Sequence, residues 1–576
     1  MSVDDPLVGS DPLRDRLRAT PVPAVVWVLG VLVLLGLQAG RIGPGIASLG
    51  MELVTATTVA VAWIADGFGG PWWRRVAAGI AVATVGLAVN RLSGRSPVRW
   101  ILAHAGRLDS FPGGRRLSRL DRAIDDLLVT VGIAGMGWLV VRTGLLGPVR
   151  TVGGAVQAGL TALSGVPTLP GRELVPNRGY QTPDGTWHGP FLGLSPAVAW
   201  GLRVLLVAAY VAVWLGWLGV GYRWYRRHYR RADWTPRDDV LRRLRGHRWG
   251  QFGMLVVAAF LAMALFAPTL GTTTAEQNIY SPFSNSIEHY DTDAGEVTEL
   301  LVGQANLQTT SEGYPGRNVG PLSYDQYDRF HPFGTMTDGK DLFTFLMHGA
   351  RVSLLIGLLS VAVSAALAMV FALISAYYRG LADLLLVVVG DTIMGVPRLL
   401  LLILLTVLLS DTWLAEIYDG GALLALVLAG TGWPFLWRSF RGPALQTAER
   451  DWVDAARSYG QSPGGIMRLH LLPYLVGYLL IYSSLVLGGV ILAIAGLSFL
   501  GLGITAPTPE WGRAVDLGRE YVATQSWHIS LIPGAMITLV VMAFNAVGDA
   551  LRDAVDPQSD AGVTDASETE SRGGGA

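Results

Sequence analysis

Long apolar runs recur from one end of this chain to the other. They lie near residues 24–40, 46–65, 76–90, 126–147 and 197–221, and then near 250–269, 352–377, 384–409, 421–438, 475–495 and 528–548. A helix needs about 20 apolar residues to cross a hydrocarbon layer roughly 30 Å thick, so this recurrence predicts an all-α polytopic membrane protein. Composition agrees: 51% of the 576 residues are hydrophobic and only 15% are charged, too little polar surface for a soluble chain of this size. The first 20 residues mix acids with arginines and run into Pro21 and Pro23, which suits an uncleaved first helix better than a removed signal.

Forty-four basic and forty-four acidic residues cancel, but their placement is uneven. Between Arg223 and Arg248 there are ten arginines against Asp233, Asp238 and Asp239. An arginine at a helix centre costs about 2.5–3.5 kcal/mol to insert, so this stretch is expected in the cytoplasm, against anionic lipid. The eight arginines from Arg91 to Arg122 place that loop on the same side, and residues 171–196 then fall outside. The five runs before Arg223 amount to four or five additional helices, and their odd number leaves the orientation of the N-terminus open. Six runs follow the basic segment. From Thr272 to Phe330 there are nine acids and two arginines, whereas Arg441, Arg450, Arg457 and Arg468 follow the run that ends at 438. The 272–345 loop is therefore expected outside, and the loops 378–383 and 439–474 inside. The resulting divisions are 1–246, an N-terminal membrane extension; 247–345, a first core helix with an acidic external loop; 346–556, the main membrane domain; and 557–576, a disordered acidic tail.

Several chemistries are disfavoured. With no cysteine there are no disulfides, thiolate metal sites or cysteine nucleophiles. Gly334, Gly339 and Lys340 fit the first seven positions of a phosphate-binding loop, but the eighth is Asp341, which repels phosphate where Ser or Thr should hold magnesium. Asp391 and Asp549 raise the possibility of an intramembrane aspartyl protease, yet both are expected near cytoplasmic helix ends, where hydration explains them. A passive channel would need a ring of charges or carbonyls and no energy-coupling element. The pairs Ser484/Gly488 and Gly357/Val361 are four residues apart and are expected to serve helix packing.

The most informative segment is Asp454-Ala455-Ala456, three residues, Gly460, nine residues, His470, one residue, then Leu472-Pro473. Asp451 to Ser458 has helical composition, Gly460 is a natural terminator, and Ser462-Pro463 can start a second short helix. This spacing resembles the coupling loop of ATP-binding-cassette importer permeases, with Asp454 where the family has Glu and His470 where it has Ile. A second stretch, His331-Pro332-Phe333-Gly334-Thr335, Gly339-Lys340-Asp341 and Gly349-Ala350-Arg351-Val352-Ser353-Leu354, resembles the domain entry in the C-type permease of dipeptide and oligopeptide importers. There Lys340 replaces Arg, and Met336 and Thr337 interrupt an acidic pair. A third, Leu497–Gly503, Pro509-Glu510-Trp511-Gly512 and Gly548-Asp549, resembles the end of that domain. Together they cover about 250–557.

That resemblance implies a six-helix type I permease core working by alternating access. It implies a second permease subunit, two ATPase subunits that bind the ATP and magnesium, and an external substrate-binding protein. No catalytic residue, cofactor or metal in this chain is implied, and no nucleic acid. Asp454, Ala455, Ala456, Gly460, His470, Leu472 and Pro473 would form the ATPase-coupling loop. Peptides are the implied cargo, with nickel chelates or another small solute as the alternative; the substrate-binding residues are not identified.

Overall fold

The computed structural model describes residues 13–38, 40, 168–230 and 236–555. The runs expected at 46–65, 76–90 and 126–147, the basic loop at 91–122 and the tail at 557–576 lie outside them. Among the described residues six helices are long and apolar enough to cross a membrane, and one bent pair forms a further candidate.

Of the N-terminal extension, α1 (Pro21–Gly36) packs on α2 (Pro196–Trp224). Trp27 and Trp217 each donate an indole N–H to the other's carbonyl oxygen, at 3.2 and 3.1 Å. Between them the segment 169–195 carries a small ladder, β1 (Tyr180–Gln181) with β2 (Trp187–His188). α2 joins the core through Trp200, whose Nε1 donates to Leu270 O at 2.9 Å and whose ring meets Phe343 edge-on.

The core begins with α3 (Arg248–Leu270). The acidic stretch that follows, expected as a loop, is a folded layer. It holds the hairpin β3 (Ser286–Asp291) with β4 (Glu296–Leu301), the short ladder β5 (Ser323–Tyr324) with β6 (Phe330–His331), and buried side chains such as Met336. α4 (Leu342–Tyr378) starts ten residues before its apolar run because Leu342, Phe345, Leu346 and Met347 are buried under this layer. Its 37 residues give a rod of about 55 Å, well beyond a hydrocarbon thickness of about 30 Å.

The run at 384–409, expected as one span, is broken. α5 (Gly380–Gly395) and α6 (Arg398–Leu408) meet at 92°. Pro397 is the cause: it lacks an N–H and forces the residue before it out of the helical region, and Val396 has φ −82°, ψ 135°. α7 (Gly421–Ala448) outlasts its apolar run by ten residues, with Phe440, Ala444 and Ala448 buried. Next come the short helices α8 (Asp451–Ser458) and α9 (Pro463–Ile466), then α10 (Leu472–Phe499), α11 (Trp511–Gly518) and α12 (His528–Val555).

The central core joins α3, α4, α7, α10 and α12 through Phe260, Leu346, Leu424, Ile491, Ile494 and Phe544. At Gly488 an added Cβ would lie 3.1 Å from Phe544 Cβ and 3.2 Å from Val541 O, so the missing side chain is what lets α10 and α12 approach. Gly357 likewise faces Leu487, whereas Ser484 bonds only to its own helix, at Ile481 O (2.8 Å). A second cluster closes the end of the bundle that carries the arginines, through Phe440, Ala448, Val453, Ile466, Leu471 and Leu475.

Candidate functional site: a helix-turn-helix at the basic end

α8 covers the segment expected to be helical, Asp451–Ser458, and its amphipathic pattern explains its seat. Val453 and Ala456, three apart on one face, are buried against Ala448, Ile466 and Leu471. Asp451 and Asp454 occupy the first turn and Arg457 the last, each complementing the helix dipole. The opposite face is open: Trp452 is 40% exposed, Asp454 and Ala455 are exposed, and Tyr459 is 91% exposed.

Gly460 ends the helix as expected, with φ +73°. The N–H of Gln461 donates to Ala456 O at 3.1 Å and that of Gly460 to Arg457 O at 2.9 Å, the paired bonds of a Schellman turn with glycine in the left-handed position. A Cβ at Gly460 would meet nothing within 4 Å, so the demand for glycine is conformational and not a matter of space. Ser462 caps α9, accepting from Gly465 N at 3.3 Å, with Pro463 in its first turn.

His470 replaces a hydrophobe in the resemblance, and the structure supplies its partner. Its Nε2 lies 2.9 Å from Gln461 Oε1, tying the second arm back to the turn. Leu472 is half-buried against the basic-end cluster, while Pro473 is exposed in the first turn of α10. Asp454 pairs with Arg457 at 3.2 Å, an exposed contact of about 0–1 kcal/mol. Of the seven expected residues, Ala456, Gly460, His470 and Leu472 thus build the element, and Asp454, Ala455 and Pro473 lie on its surface.

Sequence reasoning missed what anchors the element. The Arg457 guanidinium sits 5.0 Å from the Tyr377 ring centroid at the end of α4. Arg379 pairs with Glu449 at 3.3 Å, and Trp452 stacks on Tyr474 at 5.5 Å. The only hint in the sequence was aromatic residues beside arginines.

At the opposite end of α4 the motif His331…Asp341 becomes a buried charge network. Asp341 caps α4 by accepting from Thr344 N at 2.7 Å. His331 lies between two carboxylates, Nδ1 2.9 Å from Asp341 and Nε2 3.2 Å from Asp325, and Arg329 joins Asp325 at 2.6 Å. Burial presses His331 downward, but the hydrogen bonds and charges of Asp325 and Asp341 outweigh it and raise its pKa. Burial pushes Asp325 upward, and Arg329 and His331 more than reverse that, holding it well below the carboxylate range. Asp341 therefore fills the helix N-terminus that a phosphate-binding loop would leave for its ligand.

Asp391, expected near the cytoplasmic end of its helix, instead lies in the last turns of α5 beside the break, paired with Arg438 of α7. Asp549 is exposed on α12, and no hydrogen bond or ion pair joins it to Asp391. Among the described residues no group of three or more His, Cys, Asp or Glu is placed to hold a metal ion.

Comparison with known proteins covers the same region. The family described as binding-protein-dependent transport system inner membrane component matches residues 368–560. The N-terminal TM domain of oligopeptide transport permease C matches 235–285. A dipeptide transport system permease protein of Alkalihalophilus pseudofirmus is 29% identical over 324 residues, 56% of this chain and 90% of its own. That of Bacillus subtilis is 33% identical over 329 residues, 57% and 88%. A putative peptide transport system permease protein of Brucella suis is 40% identical over 228 residues, 40% and 74%. Carrying these matches across its core helices and its helix-turn-helix, the chain belongs to the family of binding-protein-dependent transport system inner membrane components.

Proposed function

We propose that this chain is the membrane permease subunit of an ATP-binding-cassette importer for short peptides. It would work with a second permease subunit, two ATPase subunits and an external binding protein. Peptide cargo is supported by the names of its relatives, which are dipeptide and peptide permeases. The observation that carries the mechanism is the helix-turn-helix at 451–466, anchored on one face and open on the other.

In this reading the open face, with Trp452, Asp454, Ala455 and Tyr459, seats in a groove of an ATPase subunit on the cytoplasmic side. ATP closure draws the two ATPase subunits together, and the helix-turn-helix moves as a rigid body because its turn and both arms are held. Arg457 on Tyr377 and Arg379 with Glu449 pass that displacement to α4, and Trp452 on Tyr474 passes it to α10. The chain contributes two alternative packings of its membrane helices, and ATP shifts their balance only through its differential affinity in the partner.

The test is reconstitution with the ATPase subunits, second permease and binding protein in proteoliposomes. Dipeptide-dependent ATP hydrolysis and uptake are expected, both abolished when the helix-turn-helix is replaced by a Gly/Ser linker. Coupled uptake surviving that replacement would overturn the assignment.

A further inference from the structure

Residues 169–195 precede both family matches, yet they fold onto the outer layer of the core. Asn177 Nδ2 donates to Thr272 O at 3.1 Å, Arg172 Nη2 to Gly271 O at 2.6 Å, and Arg203 Nη1 to Asn177 Oδ1 at 2.8 Å. Between this segment and the β3–β4 hairpin lies a cavity of about 420 Å³, within the range of about 300–1,000 Å³ for small-molecule sites.

Its lining holds an arginine with no ion-pair partner and, opposite, two carboxylates with no cation between them. Arg178 makes one hydrogen bond, from Nη2 to Thr273 Oγ1, and no carboxylate lies within ion-pair distance. Its neighbours differ: Arg329 is paired with Asp325 and also donates to Asn306 and Thr309, and both ring nitrogens of His331 are engaged by Asp325 and Asp341. A partly buried guanidinium without a counterion is costly, and its planar fork matches a carboxylate. Burial and then Arg329 press the pKa of Arg178 down to about 10, and the opposing pull of the Asp341 charge, already engaged by His331, does not make up for them.

Across the cavity Glu288 of β3 stands directly opposite Glu299 of β4 in the ladder, both lining the space. Like charges in that register repel unless a cation lies between them. Glu288 has no hydrogen-bond or ion-pair partner, and Glu299 only the Ser286 hydroxyl. Tyr180, stacked on His188 at 5.5 Å, gives the same cavity a flat apolar flank.

We infer that this cavity binds a small zwitterion, a free amino acid or short peptide, with its carboxylate on Arg178 and its ammonium between Glu288 and Glu299. It is a site outside the membrane pathway, built jointly by the extension and the core, and it does not depend on the chain being a peptide importer. Calorimetric titration of the full-length chain in nanodiscs, without partner subunits, tests it using alanine, alanylalanine and N-acetylalanine as probes. Saturable binding of alanine, alanylalanine or both is expected, and which one binds distinguishes amino acid from peptide. Arg178→Gln should weaken it at least tenfold. Glu288→Gln/Glu299→Gln should weaken it similarly for the zwitterions while improving N-acetylalanine relative to them; these exposed carboxylates are not required for packing. The inference is overturned if neither zwitterion binds the wild-type chain at millimolar concentration, or if the glutamate double variant binds both as the wild type does.

Discussion

Gly460 is the residue at which the smallest covalent change should have the largest mechanical effect. With φ at +73° it occupies the left-handed region, where a side chain costs about 1–2 kcal/mol. No atom lies within 4 Å of an added Cβ, so sterics contribute nothing further and the estimate rests on the backbone alone. That energy corresponds to about a 5–30-fold shift toward rewound turns in which the two hydrogen bonds from Gly460 and Gln461 are lost. If only the native turn fits the ATPase, apparent affinity falls in proportion to the competent fraction. Titrating ATPase subunits against nanodisc-embedded permease should therefore show Gly460→Val binding about 5–30-fold more weakly, with unchanged membrane insertion. Gly460→Asn, which tolerates the left-handed region, should stay within a few-fold of wild type. Wild-type affinity and coupled hydrolysis in Gly460→Val, or an Asn variant as poor as Val, would refute the reasoning.

Other expectations follow from the charges and the exposed faces. Tyr459→Ala, at a side chain 91% exposed, should alter stability by less than about 0.5 kcal/mol yet reduce ATPase co-purification if this face is the docking surface; unchanged co-purification argues against it. The Asp325–His331–Asp341 network should protect residues 325–345 best from about pH 4 to 6.5. Below that window the depressed carboxylates protonate and their contribution is lost as pH falls through their folded values; above it the raised His331 deprotonates and its contribution is lost as pH rises. Hydrogen exchange against pH reads both limbs, and His331→Gln should remove the upper one. Asp391→Asn should lower the folded, membrane-inserted yield by leaving Arg438 unpaired, and Asp391→Asn/Arg438→Gln should restore it; a double variant as poor as the single one denies the pairing. In this cysteine-free chain, Ala294→Cys should react with an impermeant maleimide in intact cells and Ser458→Cys only after lysis, and the reverse pattern inverts the topology.

What hydropathy reports is contact with lipid, and this explains which elements the sequence displayed. The runs at 250–269, 475–495 and 528–548 lie inside α3, α10 and α12, whereas α4 and α7 each gain about ten residues where protein replaces lipid as the covering. The break at Pro397 was locally legible, since proline bars the helical region to Val396, but an apolar window averages over it. In the helix-turn-helix the cap chemistry of Ser462, Pro463 and Gly460 is local and could be read directly. The anchors could not: Arg457 meets Tyr377, and His470 meets Gln461, only through the geometry of separate segments. The same holds for the outer cavity, where Arg178 and the Glu288–Glu299 pair are brought together by tertiary folding alone.

The placement of proline divides the core into parts that transmit and parts that bend. α4 has no internal proline and runs about 55 Å from the Asp341 cap to the Tyr377 contact, so under the proposed coupling a displacement of the helix-turn-helix would tilt it as a rod. α7 carries Pro434 and Pro443, and α5 and α6 are separated at Pro397. Each of these sites lacks a backbone hydrogen bond, so bending there disrupts less of the helix than bending α4 would. The Asp391–Arg438 pair spans two of the bendable elements, α5 and α7, close to both Pro397 and Pro434. A pair in that position ties α5 to α7 beside the break and holds the hinge in one of its packings. In the proposed mechanism, rigid transmission along α4 combined with bending at the prolines would be the division of labour that alternating access requires.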